Sequence, residues 1–297
     1  MEDTGERMIP AHHKGSLMYG EHMVRYEAAC EIGADKIVLD IASGTGYGTQ
    51  LLAKTAKHVY GVDVAQDAID YAKKNYSRKN VTFLLGDAER IPLEDNSVDV
   101  VVSFETIEHI KDYQGFLAEI KRVLKPGGQA IVSTPNDKEF PEGNHFHLHE
   151  FEVDEFENML KKHFSSISFY YQGDWLYSGI LPKSGFQDEW TKPVLTSKLL
   201  SDELSRCIYM FAVCSNDKAG SITTRGVIAQ GWSDKNRIEE AEKQHVHNRN
   251  IGAELEIAQA EIQHLRTDLN TVLSSKSWRY TQALRKLRHT IRKRNRG

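Results

Sequence analysis

Between residues 36 and 134 the chain alternates short apolar runs with longer stretches whose apolar positions recur every three or four residues. Lys36-Ile37-Val38-Leu39-Asp40-Ile41 predicts a strand, followed by a small-residue turn and a helical pattern through Leu51, Leu52 and Ala56. His58 to Asp63 predicts a second strand, Asp67 to Tyr76 a helix, and Val81 to Leu85 a third strand. Val98 to Phe104 is almost wholly apolar, as expected of a strand buried on both faces. Asp112 to Leu124 sets Phe116, Leu117, Ile120, Val123 and Leu124 on one helical side, and Lys125-Pro126-Gly127-Gly128 supplies the breakers that end it. Gln129 to Thr134 predicts a fifth strand. Strands alternating with helices imply βαβ units and a parallel sheet.

Beyond Pro135 the pattern changes twice. A His-rich loop precedes a helix from Val153 to His163 and a strand from Ser166 to Tyr171. Gln172 to Ser205 is irregular and reads as a lid or an insertion, and Cys207 to Cys214 predicts a last strand. Residues 1–215 are therefore expected to form one α/β domain, with 216–234 as a linker. Ile251, Leu255, Ala258, Ile262, Leu265, Leu269 and Val272 then alternate steps of four and three, a coiled-coil seam within residues 235–273. Such a seam implies a homo-oligomer; a single helix packed back on the domain is the alternative. In the last segment, 274–297, Trp278, Leu284, Leu287 and Ile291 lie at helical spacing among Lys and Arg.

Charge sharpens that division. The chain has 297 residues and a net charge of −4, yet nine of its 38 Lys and Arg fall between Lys276 and Gly297, where there is no Asp or Glu. The first 275 residues thus carry 29 basic against 42 acidic side chains, a net of −13. An apolar stripe among the basic residues suits peripheral contact with an anionic membrane better than a nucleic-acid arm, which needs no such stripe. Three cysteines, Cys30, Cys207 and Cys214, form no C-x-x-C pair, which favours a reducing compartment. The polar N-terminus has no apolar core of a signal peptide, and no stretch approaches the roughly 20 apolar residues of a spanning helix. The expected location is cytoplasmic, peripheral on the inner membrane at most.

The turn after the first strand carries the strongest chemical signal. Asp40-Ile41-Ala42-Ser43-Gly44-Thr45-Gly46-Tyr47-Gly48 joins strand to helix through small residues, which lets backbone N–H groups approach a ligand. No Lys follows the last glycine, so a P-loop is excluded, and the glycines fall one residue short of a dinucleotide fingerprint. Asp63 ends the second strand, where a carboxylate can accept both hydroxyls of a ribose. Asp40 sets negative charge where a pyrophosphate would lie, which disfavours NAD and suits a cationic sulfonium and its amino group. Asp87, after the third strand, is placed to accept from an adenine amino group.

Asp40 to Gly46, Gly61-Val62-Asp63, Gly86-Asp87-Ala88 with Ile91-Pro92-Leu93, Phe104-Glu105-Thr106-Ile107-Glu108-His109 and Leu124-Lys125-Pro126-Gly127-Gly128 together resemble class I S-adenosylmethionine-dependent methyltransferases. The resemblance covers roughly residues 1–215. It implies a Rossmann-like sheet of seven strands with the last antiparallel, and S-adenosyl-L-methionine as cofactor. Asp63 would hold the ribose, Gly44 and Gly46 would pass the methionine moiety, and Asp87 and Ala88 would border the adenine. Asp40, Ala42, Ser43, Val64 and Phe104 complete the expected cofactor set. The alternative is a capping turn with strand-end acids in another Rossmann-like protein. Thr4 to Pro10 with Glu21 to Tyr26 is similar to the lead-in of methyltransferases found with bacterial polysaccharide and O-antigen assembly, which implies a sugar or glycan acceptor. Asn144 to Phe151 and Ser275 to Thr281 are similar to segments of proteins in the same setting.

Glu105-x-x-Glu108-His109 follows the fourth strand, at the edge where an acceptor would meet the methyl group. His109 is the expected base or orienting group, with Glu105 and Glu108 in support. E-x-x-E-H also resembles an element of ubiquinone-pathway O-methyltransferases, where it has been linked to a metal. The reading carries no metal, and Glu105, Glu108 and His109 are the set that would hold one; a capped helix start with no chemistry is the third possibility. His147, His149 and Trp175 are candidate acceptor contacts, with a surface loop as the alternative for the histidines and a small core for the aromatics. The expected activity is O-methylation of a sugar or glycan. A small aromatic or quinone-like acceptor, or a cofactor-binding scaffold in a glycan-assembly complex, are the alternatives.

Overall fold

A computed structural model of the chain describes residues 8–10, 16–137, 147–173, 207–223, 262–267 and 271. The chain divides into two compact units, Met1–Gln230 and Gly231–Gly297. In the first unit seven strands form one sheet: β1 (Ile37–Ile41), β2 (His58–Asp63), β3 (Val81–Leu85), β4 (Val98–Phe104), β5 (Leu124–Pro135), β6 (Ser166–Gln172) and β7 (Tyr209–Ser215). Their order is β3-β2-β1-β4-β5-β7-β6. The pairings from β3 through β5 are parallel, and β7 lies antiparallel to both β5 and β6. The Rossmann-like sheet with an antiparallel last strand is therefore present.

Each β strand turns alternate side chains to opposite faces, and both faces are covered. On one face Val38, Val59, Val100, Val102, Ile131 and Val213 pack with Met23, Tyr26, Ala29 and Ile32 of α1 (Leu17–Gly33) and with Leu52 of α2 (Tyr47–Leu52). On the other, Leu39, Ile41, Val62, Val101, Val132 and Ala212 pack with Phe116, Leu117 and Ile120 of α4 (Tyr113–Val123) and Phe156 and Leu160 of α5 (Val153–His163). Between them in sequence, α3 (Gln66–Tyr76) buries Ile69 and Ala72 against Phe83.

Three boundaries differ from the sequence reading. The helix after the glycine turn stops at Leu52 rather than running past Ala56, because the chain turns and Lys57 and His58 donate to the Lys36 carbonyl. β5 begins at Leu124, not Gln129: Leu124 already opposes Val98, and Gly127 at φ +76° absorbs the irregular register that follows. α1 lies in a stretch for which no helix was expected. Its start is capped by Ser16, whose Oγ accepts from the Tyr19 N–H at 3.2 Å. After β7, residues 216–223 hydrogen-bond back to the domain: Gly220 N donates to Gln129 Oε1 at 2.7 Å, and Thr223 Oγ1 to Glu31 at 2.9 Å.

In the second unit residues 262–267 and 271 are helical, and Ile262 and Leu265 of the expected seam are exposed. The rest of the coiled coil, the basic tail 274–297, the irregular segment 174–206 with Trp175, and His145 lie outside the described residues. Among the described residues no helix is long and apolar enough to cross a membrane.

Strand order reverses between β1 and β4, and such switch points open a crevice at the carboxyl ends of the strands. Close packing fixes this edge. A Cβ on Gly48 would stand 1.9 Å from Cζ of Tyr26, and one on Gly46, at φ +86°, would stand 2.6 Å from Cβ of Ala72. Gly48→Ala gains helix propensity worth up to about 1 kcal/mol, but overpacking against a buried ring costs about 1–3 kcal/mol. The variant is expected to unfold at lower urea concentration than the parent; an unchanged or higher midpoint would contradict this packing.

Candidate active site

Asp40, the last residue but one of β1, has its side chain buried, held by residues of α1 and α2. Thr49 Oγ1 donates to Asp40 Oδ2 at 2.6 Å and Tyr26 OH to Oδ1 at 3.2 Å. Burial pushes the Asp40 carboxyl up to about 7; the two hydroxyls oppose that shift and the charge of Asp63 adds to it. The next residue but one, Ala42, sits at φ +57°, a left-handed conformation that a non-glycine residue adopts at some cost. Ser43 follows with its Oγ buried and without a hydrogen-bond partner among the described residues. A Cβ on Gly44 would meet nothing within 4 Å among the described residues.

Asp63, at the end of β2, closes this loop. Its Oδ2 accepts from the Gly44 N–H at 2.8 Å and its Oδ1 from the Ala65 N–H at 2.9 Å. Val64 and Leu85 beside it expose apolar surface at the carboxyl edge of β2 and β3. Asp87 is exposed and accepts from the Glu89 N–H at 2.9 Å, while Ala88 is buried. Arg122 anchors the following segment by donating to the carbonyls of Ile91 at 3.0 Å and Leu93 at 2.9 Å. Phe104 is almost wholly buried, its ring 5.0 Å from that of Tyr26 and 5.7 Å from that of Phe211.

A second strained residue, Glu105 at φ +49°, directly follows β4. Ser133 Oγ donates to its Oε1 at 2.8 Å. Glu108 and His109 lie in a short 3-10 turn, Ile107–His109. Glu108 is buried, its Oε2 accepting from Thr134 Oγ1 at 3.0 Å. Burial, then the charge of Glu105, holds the Glu108 carboxyl well above the usual carboxylate range. The Glu108 carbonyl accepts from the N–H groups of Leu148 and His149, which brings the His-rich segment against the turn. His147 thereby stacks edge-on to His109, ring centroids 4.9 Å apart, and its Nδ1 pairs with Glu150 at 3.1 Å. Burial and then His109 lower the His147 pKa. His149 takes other partners, Glu155 at 2.8 Å and the rings of Tyr113 and Phe151.

The metal-competent set in this geometry is not Glu105, Glu108 and His109. Ligand atoms of Glu108, His109 and His147 lie within 4.8 Å of one another, whereas Glu105 is engaged with Ser133. Arg25, on α1, falls within the Glu21 to Tyr26 lead-in but was given no role by the sequence. Its guanidinium is buried 4.3 Å over the Tyr209 ring, and Nη1 donates to Gln172 at 3.1 Å. Nε and Nη2 have no hydrogen-bond partner among the described residues. Burial works against its charge, and Glu105 leads the groups that favour it. Its neighbours come from segments more than a hundred residues apart, so no local motif announces it. The helical spacing of Arg25 with the apolar Tyr26, Ala28, Ala29 and Ile32 was the one available signal.

These residues fit an adenosyl amino-acid cofactor. A strand-end carboxylate, a buried acid for a cationic centre, an orphaned Ser43 hydroxyl and an open Gly44 lie around one loop. Residues 39–132 match the family described as "Methyltransferase domain". A probable S-adenosylmethionine-dependent methyltransferase of Mycolicibacterium smegmatis is 37% identical over 163 residues, 53% of this chain and 63% of the relative. One of the same description from Mycobacterium tuberculosis is 36% identical over 162 residues, 53% and 58% of the two chains. This chain thus spans about three fifths of the length of these relatives. A demethylmenaquinone methyltransferase of Tropheryma whipplei is 34% identical over 109 residues, 35% of this chain and 45% of that one. Among solved structures a Pyrococcus horikoshii protein shares the fold, with a TM-score of 0.52 at 20% identity over 72% of this chain and 99% of its own. Residues 39–132 of this domain thus match a methyltransferase domain, and the relatives that share the region are described as probable S-adenosylmethionine-dependent methyltransferases.

Proposed function

We propose that the chain is an S-adenosylmethionine-dependent O-methyltransferase whose acceptor is a sugar or glycan. The observation that carries the cofactor half is the Asp40–Asp63 pair flanking one glycine loop at the switch point of the sheet. S-adenosylmethionine supplies, when bound, an electrophilic methyl group on a sulfonium. Asp63 would accept from the ribose hydroxyls while holding Gly44. Asp40 would face the cationic end, Val64 and Leu85 would wall the adenine, and Asp87 would accept from its amino group. Arg25 is the buried cation suited to the carboxylate of the methionine moiety. The acceptor would enter beside Glu105, Glu108 and His109. There His109 orients its hydroxyl and Glu105 and Glu108 support the turn; rate comes mainly from positioning.

The glycan half rests on the likeness of the lead-in at Glu21 to Tyr26 to methyltransferases of polysaccharide assembly. A quinone-like acceptor is the second reading, favoured by the E-x-x-E-H element and by the likeness to a demethylmenaquinone methyltransferase.

Two measurements test the proposal. With methyl-labelled cofactor, the full chain is expected to label a lipid-linked glycan fraction and not a demethylated quinone; labelling of the quinone alone would overturn the acceptor. In parallel, Asp63→Ala should weaken cofactor binding about 10- to 100-fold, the cost of losing one hydrogen bond to a charged group. Intact binding in that variant would refute the assigned ribose contact.

Asp40 makes the cofactor step depend on pH. Its carboxyl titrates near 7 in the folded domain, above its unfolded value of about 3.9. The folded state therefore holds the extra proton, and the unliganded domain loses stability as pH rises from about 4 to about 7. A cationic ligand favours the carboxylate, so binding releases that proton. Affinity for S-adenosylmethionine is expected to rise roughly tenfold from pH 6 to pH 8 and to flatten in Asp40→Asn. A pH-independent affinity in the parent would contradict this role.

A further inference from the structure

Arg25 is held by two residues of the last two strands, Gln172 and Tyr209. Gln172 ends β6 and Tyr209 begins β7, and the two are partners in the antiparallel ladder. Tyr209 also opposes Pro135, the last residue of β5, which places the pair at the carboxyl edge of the parallel strands. Glu21 and Arg25 lie one turn apart on α1. Gln172 bridges them with both ends of its amide: Oε1 accepts from Arg25 Nη1 at 3.1 Å, and Nε2 donates to the Glu21 carbonyl at 3.3 Å. Tyr209 does the same with ring and hydroxyl. The Arg25 guanidinium lies 4.3 Å over the ring, and the OH donates to Glu21 Oε2 at 2.9 Å.

These contacts use one face of the guanidinium and its Nη1. The remaining nitrogens, Nε and Nη2, are buried without a hydrogen-bond partner among the described residues. Their N–H groups project from a single edge, the fork that meets both oxygens of a carboxylate in parallel. Such a fork works only where its plane is fixed, and an Arg side chain left free to turn loses rotamer freedom when it binds. Stacking on Tyr209 fixes the plane, and the bond to Gln172 fixes the rotation within it. Arg25, buried, is thus ordered before a ligand arrives.

We propose that Tyr209 and Gln172 are positioning residues for the amino-acid end of the cofactor: together they hold Arg25 so that its Nε–Nη2 edge meets the methionine carboxylate. The inference rests on the reading of Arg25 in the proposed function. It adds that the ends of β6 and β7 set the affinity for the carboxylate, while the adenosine half is bound by the loops after β1, β2 and β3 without their help. Glu21 acts one step further out, as the anchor of the Tyr209 hydroxyl.

The test is calorimetry on the full chain with two ligands. S-adenosylhomocysteine carries the carboxylate; 5′-methylthioadenosine keeps the adenosine and the thioether and lacks the amino acid. The parent is expected to bind the first at least about tenfold more tightly, the least that a hydrogen bond to a charged group contributes. Tyr209→Leu and Gln172→Met should each cut that ratio about three- to tenfold, the cost of ordering one long side chain on binding. Both should leave the affinity for 5′-methylthioadenosine unchanged, which also shows that the variants are folded. Tyr209→Phe keeps the ring under the guanidinium and should keep most of the ratio. If Tyr209→Leu binds neither ligand, Gln172→Met decides. Equal weakening of both ligands marks a merely structural role and would overturn the inference, as would an unchanged ratio in Gln172→Met. A parent that binds neither ligand would sink the cofactor reading itself, and this inference with it.

Discussion

Asp40 is buried near the end of the central strand, where two hydroxyls donate to it, and much of the domain's upper edge is arranged around that carboxyl group. Tyr26 reaches it from α1 and Thr49 from α2, so both helices are tied to the end of β1. Gly48 has no side chain because the Tyr26 ring occupies that space. Asp63 lies close enough to raise the carboxyl further, and its own oxygens fix the intervening loop at Gly44 and Ala65. Two acids kept close in a buried setting repel each other. A ligand that brings positive charge and hydroxyl donors relieves both, which is why this pair of acids suits a cationic, ribose-bearing cofactor.

Backbone strain falls at corresponding places. Ala42 and Glu105 both adopt positive φ just beyond β1 and β4, the two neighbouring strands at the switch point. Each costs of order 1–3 kcal/mol, and such residues concentrate where a fold aims groups at a ligand. At β1 the bend turns the loop backbone toward the crevice edge. At β4 it leads into the turn that carries Glu108 and His109. One sheet thus presents the Asp40 loop and the Glu108–His109 turn from adjacent strand ends.

The buried parallel strands were legible because strands covered on both faces read as short apolar runs; the bounds of β1 through β4 follow from Ile37–Ile41, His58–Asp63, Val81–Leu85 and Val98–Phe104 directly. The start of β5 was not, since pairing begins at Leu124 before the breakers and resumes after them. α1 was hidden because its buried face mixes Gly20, Met23, Arg25 and Tyr26, which gives little amphipathic contrast. At the site, acids and glycines within one loop were readable from spacing. Partners supplied from far along the chain were not: Tyr26 to Asp40, Ser133 to Glu105, Thr134 to Glu108, His147 to His109. The two candidate acceptor histidines, His147 and His149, take separate partners, Glu150 and Glu155.

The loop that follows Asp40 and is held at Gly44 by Asp63 would form the binding surface for an S-adenosyl ligand. Backbone amide hydrogen exchange with and without S-adenosylhomocysteine tests it most directly. The account predicts added protection at residues 42–46, 63–65 and 86–88, with no comparable change on the outer face of α5. Unchanged exchange across those three segments at saturating ligand would contradict it.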